Sequence, residues 1–193
     1  GFNFKIWAQH FAETTYFTTS NYTLTDPGNG FWVTLYTQVL NDYKESKIIL
    51  LDNPSLYAGV DKNKLAMIEI MEVYTYATLV NTFGDVPYSG AVNASLKSEA
   101  LDSDNTTPAY DKAADIYDDL FVRLDKAIAD LDPDAANGGV VGFGDADLLF
   151  NDDVAGWVKF ANSLKLRMAM TLADSNPTKA KSLVEGISPA NLI

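Results

Sequence analysis

Aromatic, hydroxyl and amide side chains alternate in the stretch 14–32, and this combination is suited to recognising a sugar. Tyr16, Tyr22 and Trp32 carry flat apolar faces, and the Asn21 amide can both donate and accept hydrogen bonds. A sugar ring needs both features, because its C–H face packs on an aromatic ring while its hydroxyl groups pair with short polar side chains. We therefore select Tyr16, Asn21, Tyr22 and Trp32 as candidate ligand-binding residues. The alternative is that these aromatic side chains only anchor a long loop to the core.

Glu72 is a second candidate for chemistry, because it falls among apolar positions of a predicted helix. A buried carboxylate needs a cation or hydrogen-bond donors. A structural ion pair, with Arg167 as the suggested partner, is favoured over a ligand-binding role. Glycoside hydrolysis would require a second carboxylate roughly 5–10 Å away across a cleft. Nothing in the sequence supplies that partner, so we expect binding without catalysis.

No metal or cofactor is expected. Acidic residues at alternating positions in 145–153 have the chemistry of calcium ligands. The spacing of a calcium-binding loop is absent, however, so capping of a helix is the favoured interpretation. His10 is the single histidine and the chain has no cysteine, which excludes a zinc site of the usual kind.

These candidates depend on a long helix predicted to begin near Asn63 and to end at Phe83. Two of its faces are apolar at helical spacing, which predicts that other helices cover most of its circumference. Gly84 can adopt a positive φ and Pro87 cannot continue a helix, so the chain should turn there into an aromatic loop. Asp61 is the predicted cap at its beginning.

The remaining pattern predicts an all-α domain covering residues 1–193. Apolar residues recur at helical spacing in 32–51, 110–131, 157–172 and 177–187, and a long loop is predicted for 89–107. Thr107 is the predicted cap of the helix in 110–131, with Pro108 in its first turn. Strand-like alternation is scarce. We expect an irregular α-solenoid of tetratricopeptide-like helix pairs with long loops on one edge.

Composition excludes one class of partner. The chain has 193 residues, 47% of them hydrophobic and 21% charged, which is ordinary for a folded domain. Its net charge of −12 argues against nucleic acid, because binding to phosphate draws on cationic side chains. No apolar run reaches the roughly 18–20 residues that a membrane-spanning helix needs.

Three sequence segments, in this order, resemble the SusD/RagB family of surface nutrient-binding lipoproteins. The first is Phe-Gly-Asp-Val-Pro-Tyr at 83–88, directly after a tyrosine-rich helix. The second runs from Pro-Ala-Tyr-Asp at 108–111 through the helix that ends near Leu131, and the third is Trp-Val-Lys-Phe-Ala-Asn-Ser-Leu-Lys-Leu-Arg at 157–167. The match covers most of the chain. The family often places ligand residues before the long helix, which adds to the choice of Tyr16, Asn21, Tyr22 and Trp32.

The resemblance implies a function and a location. The protein would be a non-catalytic binder of oligosaccharide or another nutrient at the outer face of the outer membrane. It would deliver that nutrient to a SusC-like TonB-dependent transporter and would touch the membrane only through a lipid anchor. Neither a signal peptide nor a lipidated cysteine is present in this sequence. We therefore expect the N-terminal portion of a longer precursor, truncated at both ends.

Two alternatives stay open at the level of sequence. Related proteins may serve peptide uptake, so the nutrient need not be a sugar. The chain may also be a helical interaction module whose only partner is the transporter, without sugar affinity.

Overall fold

Helices make up most of the chain, as predicted. The computed structural model describes residues 2–15, 17–21, 28–89, 91–93, 96–97 and 99–193. Its helices are α1 (Phe2–Trp7), α2 (Gly28–Thr34), a π-helical segment (Leu35–Leu40), α3 (Asn41–Asp52), α4 (Ala58–Phe83), α5 (Ala113–Asp130), α6 (Val154–Thr171) and α7 (Pro177–Glu185), with 3-10 turns at Glu99–Leu101, Gly144–Ala146 and Pro189–Asn191. A short antiparallel hairpin joins β1 (Ala91–Asn93) and β2 (Leu96–Lys97). The prediction of an all-α fold is confirmed.

Helix α4 is the centre of the domain. It packs against α3, the π-helical segment, α5 and α6, and apolar side chains on several of its sides are buried. Ile70, Val73, Ala77 and Leu79 are all completely buried, which confirms the prediction that α4 is covered on most of its circumference. Because interiors of this kind are closely packed, α4 gives the loops at its ends a rigid support.

The helices associate as consecutive pairs, which is the tetratricopeptide-like arrangement that the sequence predicts. Helix α5 contacts α4 more extensively than any other element does, and α6 contacts α7 in the same manner. Apolar residues of α5 face the core, with Ile116, Leu120 and Leu124 buried. Within the described part of the chain, no helix combines the length and the hydrophobicity that a membrane span requires.

Two predicted helix caps are wrong, because both residues take part in loop hydrogen bonds instead. Helix α5 begins at Ala113, and its first N–H group donates to the Asp85 carboxylate at 2.8 Å. Thr107 is not its cap: the Thr107 backbone N–H donates to Asn105 Oδ1 within a turn. Asp61 lies inside the first turn of α4 and accepts a hydrogen bond from the Ser55 backbone N–H at 2.6 Å. Side chains of this type compete with helices by bonding to nearby backbone.

Gly84 ends α4 as predicted, with φ 80° and ψ −123°. Replacing Gly84 by alanine is expected to lower the free energy of unfolding by about 2 kcal/mol, because a residue with a Cβ is strained at this conformation. No atom lies within 4 Å of the position that the new Cβ would occupy, so the loss would be conformational rather than steric. Urea denaturation of the variant measures it.

Gly30→Ala is the matched control for this prediction. Gly30 lies in α2, also has open space at its Cβ position and has no positive φ. Alanine there should leave stability unchanged or slightly raised, because alanine favours helix more than glycine does. Equal effects of the two substitutions would show that the backbone at Gly84 is not strained by a side chain.

Candidate functional site

Trp32 lies where three separate parts of the chain meet through their aromatic rings. Its ring centroid is 4.8 Å from that of Tyr36, one helical turn further along the chain. The ring centroid of Phe83, the last residue of α4, lies 5.0 Å from that of Trp32 in a T-shaped contact. Tyr110, from the segment before α5, lies nearly parallel to Trp32, with an interplanar angle of 17° and centroids 6.1 Å apart. The predicted candidate Trp32 therefore belongs to an aromatic cluster rather than standing alone.

This cluster forms one wall of a pocket of about 570 Å³, which we call the aromatic pocket. The α2 and π-helical segments supply Trp32, Tyr36 and Thr37, and the segment 105–110 supplies Tyr110 together with the polar residues Asn105, Thr106 and Thr107. Apolar side chains and two prolines complete the lining: Val33, Pro87, Ala100 and Pro108. The volume falls within the range of roughly 300–1,000 Å³ that is usual for small-molecule sites. The pocket therefore combines aromatic faces with short amide and hydroxyl side chains.

The aromatic residues of the pocket differ in exposure and therefore in role. Tyr110 is 64% exposed, so its ring is available to a ligand. Tyr36 is buried, and its hydroxyl group donates to the Pro87 carbonyl oxygen at 2.8 Å. Burial raises the pKa of Tyr36, which keeps that hydroxyl protonated and able to donate. Tyr36 therefore fixes the wall, while Trp32 and Tyr110 offer the contact surface.

The Phe-Gly-Asp-Val-Pro-Tyr loop after α4 holds the pocket segment that contains Tyr110 through hydrogen bonds to Asp111. Val86 pairs with Asp111 in an isolated bridge, in which the Asp111 backbone N–H donates to the Val86 carbonyl oxygen at 3.0 Å. The Asp111 carboxylate accepts hydrogen bonds from the backbone N–H groups of Tyr88 and Ser89 at 3.0 and 2.7 Å. Since Tyr110 precedes Asp111, these bonds also fix the position of the Tyr110 backbone.

A buried ion network lies below the loop and contains Glu72, the residue that breaks the apolar pattern of α4. Lys47 donates to Glu72 at 2.7 Å and also contacts Glu69. Arg123 donates to Glu69, to Glu72 and, at 2.9 Å, to the Tyr88 hydroxyl group. We call Lys47, Glu69, Glu72 and Arg123 the ion network; Tyr88 links it to the aromatic loop.

The prediction of a structural ion pair for Glu72 is confirmed, but the suggested partner is wrong. Arg167 lies on α6 with its guanidinium group 4.8 Å from the centre of the Tyr74 ring, in a cation–π contact. Arg123 on α5, not Arg167, is the arginine that pairs with Glu72. The apolar pattern of α5 did not indicate that Arg123 is buried, because a single cation on an amphipathic helix is usually solvated.

The network keeps the Glu69 carboxylate ionised. Burial alone would raise the pKa of Glu69, but the opposite charges of Arg123 and Lys47 outweigh it and lower that pKa to about 2. Glu72 pairs with the same two cations and is buried. The lowered pKa of Glu69 is the opposite of the raised pKa that the acid of a glycosidase needs. The network is therefore a structural support.

The acidic segment 145–153 caps and braces the start of α6. Asp153 is the N-cap and accepts a hydrogen bond from the Ala155 backbone N–H. Asp147 accepts bonds from the indole N–H of Trp157 at 2.7 Å and from backbone groups of its own loop, including Leu149. Across the residues that the structure describes, no group of three histidine, aspartate or glutamate side chains is arranged to hold a metal ion.

Of the four predicted ligand-binding residues, Trp32 lines the aromatic pocket. Asn21 is exposed in the turn that precedes α2, where its backbone N–H donates to the Phe17 carbonyl oxygen, and it is not among the described residues that line the pocket. Tyr16 and Tyr22 lie outside the described residues. Sequence reasoning missed Tyr110, which it assigned to the core stripe of a helix. The position of Tyr110 two residues after Pro108, at the end of a long polar loop, could have indicated that it lies outside the helix.

The comparisons with known proteins agree on one family. A profile of SusD-like proteins, described as starch-binding and associating with the outer membrane, matches residues 2–193. No match is found among curated proteins.

Solved structures give the same result. A chitin-binding protein is 28% identical with a TM-score of 0.74, and the match covers 98% of this chain and 37% of that protein. A SusD homologue from Parabacteroides distasonis is 28% identical with a TM-score of 0.66, covering 91% of this chain and 32% of the homologue. A chitin-binding SusD homologue from Flavobacterium johnsoniae is 27% identical with a TM-score of 0.67, covering 88% and 32%.

The chain therefore spans about a third of the length of these relatives. The family profile matches almost every residue of it. This chain belongs to the SusD-like family.

Proposed function

We propose that this chain belongs to a cell-surface glycan-binding protein that captures oligosaccharide at the outer membrane without cleaving it. The observation that carries the proposal is the aromatic pocket, in which the rings of Trp32 and the exposed Tyr110 lie nearly parallel. Asn105, Thr106 and Thr107 supply amide and hydroxyl groups to the same pocket. This is the pairing of surfaces that a sugar ring requires.

The physical basis is a division of tasks between the aromatic and the polar side chains of the pocket. Aromatic rings bury the apolar C–H face of a sugar, and contacts of large aromatic side chains add roughly 0.5–1.5 kcal/mol beyond the buried area. Amide and hydroxyl side chains replace the water that solvates the sugar hydroxyl groups, and unpaired groups would be costly. A ligand of this chemistry satisfies both kinds of side chain at once, whereas a purely apolar ligand would leave the amide and hydroxyl groups without partners.

The relatives support a glycan as the nutrient. Two of the similar structures are of chitin-binding proteins, and the family is described as starch-binding. Delivery to a SusC-like TonB-dependent transporter, and attachment to the membrane through a lipid anchor, follow from the family resemblance. We include both in the proposal as the route by which the captured glycan would be used.

Binding of chitohexaose and maltohexaose, measured by isothermal titration calorimetry, tests this function. These probes represent the two glycans named for the relatives. Trp32→Ala and Tyr110→Ala are each expected to weaken the binding of the accepted glycan by about tenfold or more, since the loss of one such contact is worth about 1.4 kcal/mol.

Tyr57→Ala is the matched control. Tyr57 is also a half-exposed tyrosine, but it precedes the first residue of α4, whereas Phe83 at the pocket is the last. The 26 residues of α4 separate them by about 39 Å at 1.5 Å per residue. If the Trp32→Ala and Tyr110→Ala variants bound glycan with the same affinity as the wild type, the aromatic pocket would not be the binding site.

Capture of a SusC-like transporter provides the second measurement. A chain that binds no glycan yet co-purifies with the transporter would replace the proposed function by that of an interaction module. Binding of peptides in place of both glycans would retain nutrient capture and change its class.

A further inference from the structure

The chain contains two Asn-Gly pairs, Asn29–Gly30 and Asn137–Gly138. Asparagine is among the thermally labile residues, and a glycine after it leaves the next backbone nitrogen without a neighbouring Cβ to shield it. The first pair lies inside α2, whereas the second lies in a turn between α5 and α6. The same two residue types therefore occur in different backbone environments.

The turn at 137–140 is tight and exposed. The Asn137 backbone N–H donates to the Val140 carbonyl oxygen at 2.8 Å, and the Val140 N–H donates to the Asn137 carbonyl oxygen at 3.0 Å. Between them, Gly138 and Gly139 have φ of 58° and 89°, and two positive values are what a two-residue hairpin turn of type I′ requires. All four residues are exposed. Because exposed loops of this kind open locally at a low free energy, the turn can sample other conformations.

The groups of this turn that could react with each other are accessible. Within the described part of the chain, neither the Asn137 side-chain amide nor the Gly138 N–H makes a hydrogen bond. Apart from its chain neighbours, no atom lies within 4 Å of the position that a Cβ on Gly138 would occupy. The Gly138 nitrogen can therefore approach the amide carbon of Asn137 without displacing another part of the protein.

We propose that Asn137 is a site of spontaneous deamidation, in which water is consumed and ammonia leaves. A base removes the proton from the Gly138 nitrogen, and that nitrogen attacks the side-chain amide carbon of Asn137. The new C–N bond closes a succinimide ring, while the side-chain nitrogen takes up a proton and departs as ammonia. Water then adds to either carbonyl carbon of the ring and breaks its bond to nitrogen, which yields aspartate or isoaspartate. Nothing is oxidised or reduced.

The modification stays confined to the tip of its loop, because a buried asparagine holds the base. The side-chain amide of Asn63, which is completely buried, donates to the carbonyl oxygens of Asp132 at 2.8 Å and Val141 at 2.9 Å. Asn63 Oδ1 also accepts from the Asp132 backbone N–H at 2.8 Å. These bonds tie both ends of the segment 132–141 to α4, so the exposed tip between them changes without unfolding the domain.

The site is also remote from the aromatic pocket. Asn63 lies near the start of α4, and Phe83 at the pocket is the last residue of that helix. The 20 helical steps between them span about 30 Å at 1.5 Å per residue. Deamidation therefore adds a negative charge to a chain of net charge −12 and leaves glycan binding unchanged. It does not depend on the proposed function.

Incubation of the full chain at mildly alkaline pH and physiological temperature, followed by peptide mass spectrometry, tests the proposal. The peptide that contains Asn137 is expected to gain about 1 Da, since an amide is replaced by a carboxyl group. It should do so about fivefold faster than the peptide that contains Asn29, because a helix must open before its backbone can close the ring. Asn137→Gln should abolish this gain, and Asn137→Asp should show the added charge before incubation.

Gly138→Ala and Gly139→Ala form a matched pair of variants. Both replace an exposed glycine of positive φ that has open space at its Cβ position, so both strain the turn to a similar extent. Only Gly138 supplies the attacking nitrogen. Alanine there should slow the reaction by about tenfold, the factor that a barrier higher by about 1.4 kcal/mol gives, whereas Gly139→Ala should react at least as fast as wild type. Equal rates at Asn137 and Asn29, or equal rates in the two alanine variants, would overturn the inference.

Discussion

Replacing Arg123 by alanine is expected to lower the free energy of unfolding by about 3–5 kcal/mol, the usual loss when one partner of a buried ion pair is removed. Arg123 is 8% exposed and contacts Glu69, Glu72 and the Tyr88 hydroxyl group. Without it, two carboxylates on α4 would share Lys47 alone. The loss follows from leaving charge buried and unpaired, and equilibrium denaturation in urea measures it.

Arg167→Ala is the control for this prediction. Arg167 is exposed, and its guanidinium group makes a cation–π contact with Tyr74. Its removal should therefore cost less than about 1 kcal/mol. Arg123→Lys should give an intermediate loss, because lysine keeps the charge but lacks the planar fork that reaches several acceptors. Equal losses for Arg123→Ala and Arg167→Ala would mean that the ion network does not stabilise the fold.

The stability of the chain is expected to fall with acidification through Glu69. The network lowers the pKa of Glu69 from 4.5 to about 2. Because the folded pKa is the lower one, its contribution is fully present above pH 4.5 and is lost as the pH falls towards 2. The full shift corresponds to about 3 kcal/mol, of which about 2 kcal/mol should be lost between pH 7 and pH 3.

Comparison of wild type with Glu69→Gln isolates this contribution. Glutamine does not titrate, so the difference in free energy of unfolding between the two proteins should narrow by about 2 kcal/mol from pH 7 to pH 3. Asp130 and Asp147, whose pKa values are also lowered, are present in both proteins and cancel in the difference. Thr78→Ala on the same helix is an uncharged control whose profile should run parallel to wild type. A difference that is constant with pH would contradict the prediction.

Local signals predicted the central helix and its end correctly. The apolar spacing along α4 and the conformational freedom of Gly84 act within a few residues, so the order of side chains alone indicates them. Glu72 was also a local signal, because a carboxylate among apolar neighbours must have a partner. Which cation it meets depends on how α3 and α5 pack on α4, and for that reason Arg167 was chosen in place of Arg123 and Lys47.

The start of α5 shows where local sequence signals end and contacts between distant residues decide the structure. Thr107 and Pro108 have the residue types of a helix start, yet Asp85, from a different part of the chain, accepts the first N–H of α5 at Ala113. The segment 105–110 is then free of the helix and forms a wall of the aromatic pocket. The local preference for a helix start at Thr107 and Pro108 is therefore overridden by the hydrogen bond between Ala113 and the distant residue Asp85.

The sequence by itself determined the helical class, the rigid central helix and the aromatic chemistry around Trp32, because each of these arises from residues close together in the chain. Only the tertiary structure decided that Trp32 meets Tyr110 and that Arg123 neutralises Glu72. Contacts of this kind join residues more than fifty positions apart, and their formation depends on the packing of whole helices, which no short pattern encodes.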